Sequence, residues 1–435
     1  LAAYVKEYVY GHAGRHIKVL SVVEGGNNGG DAVAAAWMLR DQGIDACIYE
    51  VGGIKNKSDS YLAEIEKAKE KSVIFVAPEN EGEQISFFKD YAVIIDGIFG
   101  VGLTREVCGI QKQVIDTINT LKDDTNSPNI VAVDIPSGIS SDTGRIMGTA
   151  LRCDATITFE YIKNGMLYNE GRTYSGEIIC EDIGLYHPEA VGGFKDLLDE
   201  KLTYINYEYD EEDIQKLLPA RIPDSNKGSY GRVLVVAGSE DVYGACYLAA
   251  EAAYRTGAGL VKGVTHDRNR DVLSDKLPEA LMLTYDDINS YFTEKYIESI
   301  KWADAILIGP GIGTDKRAGR LFHIMYDNVK SGQRIIIDAD ALNIISAADP
   351  FKILSYLTET AGADNVIITP HMMEMSRLVD GFNGCGMLFE EEYVDISLIK
   401  DDRDYVASRI SQETGVITAL KDARTVITSS TNISD

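Results

Sequence analysis

Short runs of β-branched residues alternate with helix-forming stretches along almost the whole chain, and this alternation restricts the fold more than any other feature. In the first half the runs fall at residues 17–23, 46–51, 73–77, 92–96, 130–134 and 155–159, and helices are predicted over 32–42 and 60–71. Strands that are apolar throughout are buried on both faces, and strands separated by helices are joined by crossovers. The pattern therefore predicts a doubly wound, mostly parallel α/β sheet with helices on both sides, a Rossmann-like three-layer αβα arrangement. It pauses at the acidic, tyrosine-rich stretch 204–213 (YINYEYDEED), read as a linker, and then restarts. Strands are predicted at 233–237, 260–264, 305–308, 335–338 and 366–369, with a helix over 245–255. The 435 residues exceed the roughly 250–300 at which a single core stops growing. Two α/β domains are expected, at 1–203 and 214–435.

The formal net charge is −26. A field of that sign repels phosphates, so nucleic acid and anionic membrane are excluded as partners. It leaves room for a small phosphorylated ligand held by backbone N–H groups, and it leaves self-association open. Cys47, Cys108, Cys153, Cys180, Cys246 and Cys385 form no C-x-x-C pair, so they read as reduced core residues of a cytoplasmic protein. No apolar run reaches the roughly 18 residues of a membrane span, and the start of the chain shows no signal-peptide pattern.

The turn after the first strand reads EGGNNGGD, residues 24–31. In an open parallel sheet, ligands bind beyond the carboxyl ends of the strands, where helix N-termini present unpaired N–H groups. Gly29 and Gly30 are expected to let backbone approach a phosphate or ribose, and Asp31 to cap the following helix. Two further loops begin at predicted strand ends: one carries Asp96, Gly100, Gly102 and Arg105, the other Asp134 and Ser137. Three polar loops at one sheet edge make a crevice.

Taken together, NNGGD, DGIFGVGLTR, VDIPSG…DTG and TITFEYIKNGML resemble the epimerase domain of the NAD(P)H-hydrate repair enzymes, over residues 17–185. The resemblance implies that Asn27, Asn28, Gly29, Gly30, Asp31, Gly100, Val101, Gly102, Leu103, Thr104, Arg105, Glu106 and Asp134 line the hydrate site. It implies a potassium ion on Asn28, Asp96 and Ser137, whose oxygens suit a hard cation. The hydrate carries a hydroxyl on a ring carbon beside nitrogen, and inversion of that carbon requires proton transfer, which one carboxylate can perform. Asp134 is assigned that acid/base role. Ala32 stands where the family commonly has glycine, and its methyl is expected near the ligand.

In the second half, AILIGPGIGTD, IIIDADALN, VIITPHMMEM and ALKDARTVI resemble the nucleotide-dependent NAD(P)H-hydrate dehydratase, a relative of ribokinase-like kinases. By that resemblance Ala245, Gly311 and His371 meet the hydrate. Lys421, Asp422, Ala423, Arg424 and Thr425 match a K-G-x-x-T segment that contacts ADP or ATP, accompanied by Mg2+. Taken alone, His371 reads as a satisfied structural histidine and Lys421 as a solvated surface lysine. Asp422 replaces the family's glycine and is expected to repel an anionic ligand. The family's later G-x-G-D turn, with its catalytic aspartate, would lie beyond Asp435, and the chain begins at Leu1 rather than Met. It therefore reads as a piece cut at both ends, with weak nucleotide binding and no dehydration expected. Two alternatives stay open: a ribokinase-like small-molecule kinase fused to a nucleotide-binding domain, and a non-catalytic ligand-binding scaffold.

Overall fold

The computed structural model describes residues 1–11, 17–52, 57–79, 84–122, 124, 127–184, 209, 211–218, 223–385 and 396–430. The chain divides into two compact units, Leu1–Asp199 and Glu200–Asp435.

The first unit holds strands β1 (Lys18–Val23), β2 (Asp45–Glu50), β3 (Ile74–Phe75), β4 (Val93–Gly97), β5 (Asn129–Val133), β6 (Ala155–Phe159) and β7 (Glu177–Glu181). They form one parallel sheet in the order β3-β2-β1-β4-β5-β6-β7. Its helices are α1 (Ala2–Gly11), α2 (Asn27–Asp41), α3 (Asp59–Glu70), α4 (Gln84–Lys89), α5 (Gly109–Thr120), α6 (Asn164–Leu167) and α7 (Gly171–Tyr174). Successive side chains of a strand point to opposite faces. Accordingly, Val19 and Val23 pack with Val33, Ala36 and Tyr61 from α2 and α3, whereas Leu20 and Val22 pack with Phe88, Ile115 and Ile118 from α4 and α5. Both faces are thus covered, which is why these strands lack polar alternation.

The second unit carries β8 (Arg232–Val236), β9 (Leu260–His266), β10 (Leu281–Tyr285), β11 (Ala305–Ile308), β12 (Arg334–Ile337), β13 (Val366–Ile368), β14 (Ile417–Leu420) and β15 (Val426–Thr428). Their order is β10-β9-β8-β11-β12-β13-β14-β15, parallel except for the β14–β15 hairpin. The α/β class expected from the sequence is observed in both units.

Three expectations change. The helix predicted from residue 32 starts at Asn27, capped by Gly26, so the glycine-rich segment is the first turn of α2 rather than a loop ahead of it. Of the stretch read as a linker, Glu211–Asp213 opens the helix Glu211–Leu217, where three acidic side chains suit the positive end of the helix dipole; residues 204–208 and 210 lie outside the described residues. Of the six free cysteines, Cys47, Cys153 and Cys246 are buried, but Cys108, Cys180 and Cys385 are exposed rather than in the core. Among the described residues no helix is long and apolar enough to cross a membrane.

Candidate active sites at two sheet edges

In the first sheet the chain runs outward from β1 through β2 to β3, then returns to place β4 on the other side of β1. Such a switch point opens a crevice beyond the strand ends. Asn28 reaches it from α2, Asp96 from the end of β4, and Ser137 from the loop after β5.

Predicted residues Asn28, Asp96 and Ser137 meet through the backbone of Phe99. Asn28 Nδ2 donates to the Phe99 carbonyl at 2.9 Å, and the Phe99 N–H donates to Ser137 Oγ at 2.8 Å. Ser137 in turn donates to Asp96 twice, from its hydroxyl at 2.6 Å and its N–H at 2.8 Å, and Ile98 N–H adds a third bond at 3.2 Å. Asp96 is fully buried, and no ion pair neutralises it among the described residues. Burial pushes its carboxyl up to about 6, against the pull of Ser137 and Ile98.

The glycines of the turn serve packing. A Cβ on Gly29 would sit 1.7 Å from the Glu24 carbonyl oxygen, and one on Gly30 would lie 3.4 Å from the Tyr61 backbone. Packing against the Glu24 carbonyl therefore requires glycine at 29, whereas at 30 a Cβ would make only an ordinary contact with α3. Asp31 is not the cap, because it lies a turn inside α2. The residue is exposed, and its carboxyl is raised first by desolvation, then by Asp134 and Glu64. Ala32 is fully buried, and a Cβ at Gly97 would fall 2.4 Å from its methyl; the methyl therefore faces β4. Asn27 turns toward α3, accepting from the Ser60 hydroxyl at 2.7 Å. Residues Gly100, Val101, Gly102, Leu103, Thr104, Arg105 and Glu106 form the segment after β4, solvent-open except for Gly100 and Leu103, which are half-buried.

Asp134 follows β5 with φ +66°, a left-handed conformation that Asp tolerates better than most residues. Its Oδ1 accepts from Lys163 Nζ in a short ion pair and from Thr158 Oγ1 at 3.2 Å. Its Oδ2 has no protein hydrogen-bond partner among the described residues. Lys163 also donates to Thr158 Oγ1 at 2.8 Å and to the Phe159 carbonyl at 3.1 Å. The sequence reading did not single out Lys163; the signal was a basic residue following a predicted strand next to the one that ends in Asp134.

The second sheet has its own switch point between β8 and β11. Gly238 N–H donates to the Pro310 carbonyl at 2.8 Å, and a Cβ on Gly311, at φ +65°, would lie 3.1 Å from the Ala245 Cβ. Predicted residues Ala245 and Gly311 are therefore brought together. His371 is joined to Lys421 by a parallel bridge, and no hydrogen bond links it to Ala245 or Gly311 among the described residues. Its Nδ1 accepts from Met373 and Glu374 N–H at 3.1 and 3.3 Å, capping the helix Met372–Gly384. Nδ1 is thus an acceptor, which leaves the ring hydrogen on Nε2, 3.2 Å from Glu374 Oε1. Glu374 was overlooked, although H-x-x-E is a readable capping pattern.

Lys421, Asp422, Ala423, Arg424 and Thr425 make the turn of the β14–β15 hairpin. Lys421 Nζ pairs with Asp338 at 2.7 Å, and Asp422 with the buried Arg403 at 3.0 Å. The charge of Asp422 is therefore paired within the protein. Asp340 accepts from Gly313 N–H at 2.9 Å.

A family model described as YjeF-related protein N-terminus matches residues 2–165, and one described as NAD(P)H-hydrate dehydratase matches residues 233–433. A curated bifunctional NAD(P)H-hydrate repair enzyme of Dictyoglomus turgidum is 32% identical over 82% of this chain and 65% of its own length. The Escherichia coli counterpart is 30% identical over 92% of this chain and 68% of its own length. The chain thus spans about two thirds of these relatives. The ADP/ATP-dependent NAD(P)H-hydrate dehydratase of Bacillus subtilis, solved with ATP and Mg2+, aligns at 26% identity over 51% of this chain and 68% of its own, with a TM-score of 0.39.

Proposed function

Since the chain belongs to the bifunctional NAD(P)H-hydrate repair enzymes, the family of the Escherichia coli relative, we propose that it repairs hydrated nicotinamide nucleotides. On this reading, residues 1–203 interconvert the R and S hydrates of NADH and NADPH, 204–213 link the two activities, and 214–435 dehydrate the S form at the expense of ADP or ATP. The observation that carries the epimerase assignment is Asp134, anchored through Oδ1 and free at Oδ2.

Asp134 Oδ2 takes the proton of the ring hydroxyl as the hydroxyl oxygen closes to a carbonyl and the carbon–nitrogen bond breaks. The bond's electron pair goes to the ring nitrogen, and Asp134 returns the proton there. Rotation of the open aldehyde followed by reclosure on its other face inverts the carbon, with no net change in protons. Both proton sites adjoin the same carbon, so one carboxylate serves both. Asn27, Asp31 and the 100–106 segment are assigned to the rest of the nucleotide.

Potassium is the proposed occupant of the Asn28, Asp96 and Ser137 site. A buried carboxylate without a counter-charge among the described residues fits a cation, and an amide, a hydroxyl and a carboxylate are hard oxygen donors. The ion would supply fixed positive charge beneath the crevice. In the second unit, Ala245, Gly311 and His371 are assigned to the hydrate, and residues 421–425 to the nucleotide. No group of three or more His, Cys, Asp or Glu side chains placed to hold a metal occurs among the described residues, and Mg2+ is assigned to arrive with the nucleotide phosphates. A cytoplasmic location belongs to the same proposal, supported by six unpaired cysteines.

The test is incubation with purified R or S hydrate, with and without ADP and Mg2+, followed by chromatographic separation. Interconversion above the spontaneous rate is expected without nucleotide; its absence would refute the epimerase reading.

A further inference from the structure

The crevice of the first unit contains one cation whose engagement is complete. An ammonium has three N–H donors and no acceptor. In Lys163 all three are in use, on Asp134 Oδ1, Thr158 Oγ1 and the Phe159 carbonyl. With all three N–H groups committed within the protein, none is directed at a substrate.

The scaffold explains why the engagement is possible. β5 and β6 are paired neighbours, with Val133 opposite Ile157, so Asp134 leaves one strand beside Thr158 of the next. Asp134 turns off its strand in the left-handed region, φ +66°, and is held there by its N–H donating to the Ile157 carbonyl at 2.8 Å. Lys163 occupies the N-cap of α6 and reaches back over the end of β6. Asp134 and Lys163 are largely buried, with 16% and 20% of their side chains accessible, so the pair is shielded from screening better than a surface pair.

We propose that Lys163 is a positioning residue for epimerisation, acting through Asp134: by holding Oδ1, with Thr158 as second donor, it leaves Oδ2 as the single oxygen that meets the substrate. A carboxylate free to rotate presents either oxygen in many directions, whereas proton transfer between the ring nitrogen and the hydroxyl on the carbon beside it needs a fixed acceptor. The proposal rests on the epimerase reading of the first unit.

The experiment compares wild type, Lys163→Met, Lys163→Arg and Thr158→Val in the full chain, measuring initial interconversion of a single hydrate epimer. In Lys163→Met, kcat is expected to fall about 10–100-fold, as for other supporting partners of a reacting group, with KM within about two-fold of wild type. Lys163→Arg, which keeps the charge and donors, should recover most of that loss. Thr158→Val should lose about two- to ten-fold, the equivalent of one hydrogen bond. If Lys163→Met does not fold, the arginine and valine variants carry the test: Thr158→Val at wild-type kcat overturns the proposal. So does a Lys163→Met protein that keeps wild-type kcat, or one whose loss is entirely in KM. An inactive wild type would instead overturn the epimerase reading, and this proposal with it.

Discussion

Replacing Ser137 with alanine removes one oxygen that serves two partners, the buried Asp96 and the half-buried Phe99 N–H. The hydroxyl donates to Asp96 at 2.6 Å and accepts from Phe99 N–H at 2.8 Å. A hydrogen bond to a charged group contributes about 1.5–3 kcal/mol, and an N–H left without an acceptor costs about 1–3 kcal/mol. The two share one site and are not additive, so a loss of about 2–4 kcal/mol is expected at pH 8. The effect depends on pH with a definite sign. Asp96 is raised from 3.8 to about 6, so the fold favours its protonated form; that contribution is full below about pH 4 and is lost as pH rises through 6. Ser137 is one of the groups that pull this carboxyl down, so its removal raises Asp96 further and the penalty grows with pH. At pH 5, facing a neutral carboxyl, it should be only about 1–2 kcal/mol. Urea unfolding in potassium-free choline buffer, followed by Trp37 fluorescence in a Trp302→Phe background, isolates the first unit, since the chain has 2 tryptophans. A penalty below about 0.5 kcal/mol at pH 8, or one equal at the two pH values, would refute this account of the Asp96 cradle.

Potassium added to wild type should raise the urea midpoint of the first unit more at pH 8 than at pH 5, because only ionised Asp96 attracts the ion; equal effects would remove Asp96 as a ligand. Asp134→Asn should lower epimerisation by about 10²–10⁴-fold with an unchanged circular dichroism spectrum, the rate being read by chromatography of the epimers. Gly29→Ala should prevent stable folding of the first unit, since its Cβ would lie 1.7 Å from the Glu24 carbonyl oxygen, whereas Ala32→Gly should cost about 1 kcal/mol; thermal unfolding compares them. Asp422→Gly, which restores the family's glycine, should destabilise the second unit by about 1–3 kcal/mol by removing the Asp422 hydrogen bond to buried Arg403. An unchanged melting temperature by Trp302 fluorescence would show that the pair contributes nothing.

The strands were legible because burial on both faces leaves an unbroken apolar signature: the predicted run at 155–159 coincides with β6, and those at 46–51 and 92–96 differ from β2 and β4 by one residue at each end. The start of α2 was not. Gly29 and Gly30 read as loop because local propensity penalises glycine in helices, while the contact that selects glycine at 29, with Glu24, is between residues separated by a turn of backbone. The same limit hid the orientation of Ala32, which only the placement of Gly97 settles. At the candidate sites, the sequence indicated which side chains stand at strand ends, and three of them, Asn28, Asp96 and Ser137, share one network. It did not indicate pairings across strands or turns, such as Lys163 with Asp134 or Arg403 with Asp422, because each joins residues 29 and 19 positions apart. Nothing in the local pattern specifies those distances.

Asp134 and Ser137 are separated by two residues, one of them Pro136, on a segment whose ends are both fastened: one to Lys163, the other to Asp96. A strap this short has little slack, so a displacement imposed at one end must reappear at the other. Under the assignments proposed above, an ion held at Ser137 would therefore have a mechanical route to Asp134 without touching it.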